Sequence, residues 1–105
     1  MKDVYVICGP DDYFARDALM GEIEHRGKQV AFSESSKAAD GIILIIGANT
    51  KVIDALKNDI DSMRKNNKPI LTIFSHPQND QMAEFSALSP VKWEWQTINE
   101  FIDNL

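Results

Sequence analysis

Five consecutive apolar residues, Ile42-Ile43-Leu44-Ile45-Ile46, stand between Gly41 and Gly47. A strand with one wet face alternates polar and apolar residues. An unbroken run therefore demands burial on both faces, the position of a central strand in a parallel sheet. Helices must then cover both sides of that sheet, and the rest of the chain is patterned to supply them.

Val4-Tyr5-Val6-Ile7-Cys8 is a β-branched and aromatic run that stops at Gly9-Pro10, which predicts the first strand. Asp11 or Asp12 can cap a following helix with Ala15, Leu19 and Ile23 as its i, i+4, i+8 spine, and Gly27 suits its C′ position. Residues 29–32 read as a short second strand, and residues 33–40 leave room for about one helical turn. After the apolar run, Thr50 can cap a helix that buries Val52, Ile53, Leu56, Ile60 and Met63 on one side. Asn66-Asn67 closes that helix, and Pro69 begins another apolar strand that runs to Phe74. His76-Pro77 starts a loop, and residues 80–88 predict a short helix. Residues 91–95 predict a last strand, with Thr97 and Glu100 as a capping box before Ile98, Phe101, Ile102 and Leu105.

The expectation is one α/β domain over residues 1–105: a flavodoxin-like three-layer sandwich on a five-stranded parallel sheet of order 2-1-3-4-5. The competing arrangement is an antiparallel hairpin between residues 29–32 and 41–46, which a short link would allow. At 105 residues and 44% hydrophobic composition, the chain can bury roughly two-thirds of its unfolded surface without a disulfide or metal. Its one cysteine, Cys8, cannot form an internal bridge, so a reducing, cytoplasmic setting is expected. The start carries no signal-peptide pattern, and no apolar run approaches the ~20 residues of a membrane helix. Eleven Lys and Arg against sixteen Asp and Glu give a formal charge of −5, which argues against nucleic acid and membrane surfaces as partners.

In a sheet of this order, ligands bind outside the carboxyl ends of the strands, where the winding reverses between the first and third. The candidate contact residues there are Cys8, Gly9, Gly47, Asn49, Thr50 and His76. A receiver-type phosphoacceptor is rejected, because it needs an Asp where Gly47 stands. Flavin is rejected too, because Asp11-Asp12 places carboxylates where a phosphate loop belongs, and neither G-x-G-x-x-G nor a Walker sequence occurs. His25 and His76 lie on different elements, so no metal site is expected. Trp93 and Trp95 would share one face of a strand, as core packing or as a subunit contact in a homo-oligomer.

The segment Ala39-Asp40-Gly41-Ile42-Ile43-Leu44-Ile45-Ile46-Gly47-Ala48-Asn49-Thr50, followed by Asn67-Lys68-Pro69-Ile70 and then Val91-Lys92-Trp93-Glu94-Trp95, resembles the TIR-like family of the Thoeris defence protein ThsB. The resemblance covers residues 39–105, and the first third in layout only. It implies a nucleotide-binding or signalling domain of prokaryotic defence, with NAD as candidate substrate and no tightly bound cofactor. The enzymes of that family cleave the N-glycosidic bond of NAD with a Glu nine residues beyond the Thr of G-x-N-T. That count reaches Asp59, one methylene shorter than Glu. Nucleoside deoxyribosyltransferases, similar in layout, also place a carboxylate on this helix. The alternative is a catalytically silent TIR-like module that binds a small nucleotide or a protein partner. At helical spacing Asp59 lies beside Val52 on the flank of the apolar stripe, an unusual place for a carboxylate.

Overall fold

The run centred on Leu44 forms a strand, β3 (Gly41–Ile46), all six residues of which are buried. Each fully buried Ile or Leu contributes roughly 1.5–3 kcal/mol relative to an exposed one, so this strand anchors the fold. The computed structural model describes residues 2–9, 11–35, 37–47, 50, 54–75, 85–86 and 88–105. Around β3 it places β1 (Lys2–Cys8), β2 (Val30–Phe32), β4 (Ile70–Phe74) and β5 (Val91–Lys92), with helices α1 (Tyr13–His25), α2 (Asp54–Lys65) and α3 (Trp95–Asp103). The sheet order is β2-β1-β3-β4-β5 and every pairing is parallel, as in a flavodoxin-like fold. The hairpin between β2 and β3 does not form; β1 lies between them.

The period-2 geometry of the strands sorts the core into two layers. Val4, Val6, Ile43, Ile45 and Ile73 face Leu19 and Ile23 of α1 and Ile98 and Ile102 of α3. Ile7, Ile42, Leu44 and Ile46 face Leu56 and Met63 of α2, with Ile60 packed against them. Helices α1 and α2 end alike. Gly27 (φ 76°) and Asn67 (φ 54°) take the left-handed conformation, and Lys28 and Lys68 donate back to the Ile23 and Met63 carbonyls. Gly41 lets Leu105 and Phe101 pack closely on the start of β3: a Cβ there would stand 2.5 Å from Leu105 Cδ2, which would have to move aside.

Three local expectations are corrected. The last strand spans only Val91–Lys92, and α3 begins at Trp95 with Glu94 at its N-cap and no side-chain cap bond. Thr97 therefore lies inside the helix and no capping box forms. The cause is the 3.6-residue pattern of Ile98 and Ile102, which turns those residues onto the sheet. Trp93 and Trp95, placed on one strand from the sequence, instead straddle the strand-to-helix junction. Both pack against the α1 and α3 layer, and Arg26 lies over the Trp95 ring at 4.5 Å. The third correction concerns Asp12. It is the N-cap residue of α1, yet its carboxylate makes no cap bond. The roles expected of Val52 and Ile53, and most of the helix expected over 80–88, lie outside the described residues; Phe85 is fully buried against the α2 layer.

Candidate functional site

Strand β2 is only three residues long, and its pairing with β1 ends at Val4 and Phe32. The Ser33 N–H closes the ladder by donating to the Val4 carbonyl at 2.9 Å. Strand β1 continues to Cys8, so beyond Val4 its edge on the β2 side has no strand partner among the described residues. A cleft of about 590 Å³ opens there, within the range of small-molecule sites. It straddles the sheet. Cys8, Tyr13, Arg16, Met20 and Phe32 line the α1 side, Tyr5, Ile7, Leu56 and Asp59 line the α2 side, and Ser33 and Glu34 continue from β2.

Asp59 and Tyr5 meet because both belong to the α2 side of the sheet. Burial raises the Tyr5 phenol above its ordinary 10.0, and the negative charge of Asp59 raises it further, with a smaller contribution from Cys8. Tyr5 is thus a neutral hydroxyl donor at physiological pH. The Cys8 thiol is also raised, first by burial, then by the charges of Asp12 and Asp17, against an opposing effect of Arg16. A thiol held above its usual range is a weak nucleophile at neutral pH. Arg16 lies over the Tyr13 ring at 4.8 Å and 3.6 Å from the Asp17 carboxylate, while its Nε is shielded from solvent without a hydrogen-bond partner.

Next to the cleft, the carboxyl ends of β1 and β3 are joined by side chains. The Gly47 N–H donates to Thr50 Oγ1 at 2.7 Å, and the Thr50 hydroxyl donates in turn to Asp12 Oδ2. Thr50 is 1% exposed. A Cβ on Gly47 would stand 2.1 Å from Asp12 Oδ1, and one on Gly9 would stand 3.1 Å from Oδ2. The carboxylate can lie where it does only with a glycine at 47, whereas a Cβ at 9 would press it by a few tenths of an ångström.

Of the residues picked out from the sequence, Cys8, Gly9 and Asp59 come together in the cleft. Gly47 and Thr50 instead hold Asp12, and Asn49 and His76 lie outside the described residues. Tyr5, Tyr13 and Arg16 join the cleft residues without having been singled out from the sequence, where Asp12 stood only as a cap candidate and a carboxylate in place of a phosphate loop. The signal for Tyr5 was there: an aromatic with a polar tip, next to Ile7 at the α2-facing register of β1. Among the described residues, no three of His, Cys, Asp and Glu could share a metal ion. None of the described helices is long and apolar enough to cross a membrane. Comparison with known proteins finds no family model, no curated protein and no solved structure that matches the chain.

Proposed function

We propose that this chain is a TIR-like domain that binds an N-ribosyl compound in the cleft beside β1, with Asp59 directed at the ribosyl carbon that bears the base. The observation that carries this reading is that Asp59 and Tyr5 line the same cleft, with the charge of Asp59 acting on the Tyr5 phenol. When an N-glycosidic bond breaks, its electron pair leaves with the base and positive charge develops on the ribose ring. A carboxylate beside that carbon stabilises the charge or traps the sugar as an ester, and water then adds at the same carbon to release ribose. The Tyr5 hydroxyl can hold a ribose oxygen. The Arg16 Nε–H can donate to a ligand oxygen, and Tyr13, Phe32 and Met20 offer an apolar bed for the base.

The setting we propose, nucleotide signalling in prokaryotic defence, rests on the resemblance of residues 39–105. A cytoplasmic location rests on the single free thiol of Cys8. A second reading, a silent module that docks a protein, is favoured by Phe14 at 90% exposure and Tyr13 at 53% on the first turn of α1. The deciding experiment incubates the purified chain with NAD and with nicotinamide riboside and measures release of nicotinamide. Release from either compound by the wild type, lost in Asp59→Asn, supports the enzyme. Absence of release from both compounds in both proteins supports the silent module.

A further inference from the structure

We propose that Asp12, beside this cleft at the start of α1, is a specificity-determining residue that selects an N-riboside carrying no phosphate over the corresponding nucleotide. The proposal rests on the cleft being an N-ribosyl site.

In doubly wound sheets, the carboxyl ends of the first and third strands are where a ligand phosphate finds backbone N–H and hydroxyl donors. Here a carboxylate of the chain itself has taken that role. Thr50 has one hydroxyl hydrogen and gives it to Asp12, while its oxygen accepts from the Gly47 N–H. With Thr50 1% exposed, that hydroxyl is turned into the protein and committed. The space over Gly47 that a phosphate oxygen would need is held by Asp12 Oδ1, within 2.1 Å of where even a Cβ would be.

The charge of Asp12 adds to this steric occupation. Its influence reaches the cleft wall, where it opposes ionisation of the Cys8 thiol alongside Asp17. Glu34 and Asp59 line the cleft as further carboxylates. Arg16 is the one cation in the described lining, and its guanidinium already stands 3.6 Å from the Asp17 carboxylate. A phosphate would enter against this surplus of negative charge, whereas an uncharged ribose and base would not. A like charge a few ångströms from the phosphate, in partly shielded surroundings, weakens binding by about tenfold or more.

The test uses ligand pairs that differ by a single phosphate: nicotinamide riboside with nicotinamide mononucleotide, and adenosine with adenosine monophosphate. Calorimetric titration of the wild type should show the nucleoside of a pair binding at least about tenfold more tightly than its nucleotide. Asp12→Asn keeps an acceptor for the Thr50 hydroxyl and removes the charge, so the preference should shrink several-fold. The comparison within the wild type needs no variant and stands whether or not Asp12→Asn folds. A nucleotide bound as tightly as its nucleoside by the wild type overturns the selectivity and leaves the N-ribosyl site standing. A preference that persists unchanged in folded Asp12→Asn overturns the role of Asp12. Failure of all four compounds to bind overturns the N-ribosyl reading itself, and the role of Asp12 with it.

Discussion

The Thr50 hydroxyl donates to the Asp12 carboxylate across 38 residues of chain, tying the start of α1 to the end of β3. Hydrogen bonds to a charged acceptor are worth about 1.5–3 kcal/mol, and this one is well shielded on the Thr50 side. It holds the two loops on either side of the switch between β1 and β3 in one geometry. Gly47 is part of the same unit, since its missing side chain makes room for Asp12.

That unit predicts a coupled response. Gly47→Ala should destabilise the protein by about 1–3 kcal/mol, because the new methyl expels the Asp12 carboxylate. In an Asp12→Ala background the same change should cost at least about 1 kcal/mol less. Urea denaturation of the four proteins measures this coupling. Additive effects would show that Asp12 does not lie over Gly47 in solution.

Turnover should follow the reach of residue 59. Asp59→Asn is expected to lower release of base from an N-riboside by about 100-fold or more, since it removes the charge and keeps the shape. Asp59→Glu should retain or raise the rate, because the added methylene extends the carboxylate towards the ribose. Equal rates for wild type and Asp59→Asn would remove Asp59 from the chemistry.

Alkaline pH should destabilise the fold through Tyr5 and Cys8. Burial raises both groups in the folded state, above ordinary values of 10.0 and 9.0. Below those values both are protonated in either state, and the stability is fully present. As pH climbs past them the unfolded chain releases its protons first, so stability falls until the folded groups also ionise. The urea midpoint should therefore drop above about pH 9, and Tyr5→Phe with Cys8→Ala should flatten the drop. A pH profile identical in wild type and the double variant would contradict this.

Thr72 offers a stabilising change. It is 1% exposed on β4, and its hydroxyl has no hydrogen-bond partner. Thr72→Val replaces that hydroxyl with a methyl of similar size and should raise stability by about 1 kcal/mol. A loss of similar size would mean that the hydroxyl is satisfied in solution.

Legibility differed from element to element. The placing of β3 and β4 inside the sheet followed from their apolar runs, because burial on both faces requires the run itself. The helix endings at Gly27 and Asn67 were legible because backbone conformation at one residue decides them. The junction after β5 was not. Trp93 and Trp95 alternate as a strand would, yet Trp95 also begins the 3.6-residue series that runs to Ile102, and packing on the sheet chose the helix.

What the sequence by itself determined is the alternation of strands and helices, their order in the sheet and the flanking position of Asp59. Each depends on residues a few places apart, or on which strand must be buried most. Only the tertiary structure decided the shape of the cleft, because the ladder to β2 ends at Val4 while β1 runs on to Cys8. It also decided the direction of Asp12. The carboxylate had two partners within reach: the N–H groups of its own helix, and a hydroxyl 38 residues away. Local pattern favours the first. The parallel pairing of β1 with β3 brings Thr50 and the open space over Gly47 beside Asp12, and that proximity selects the second.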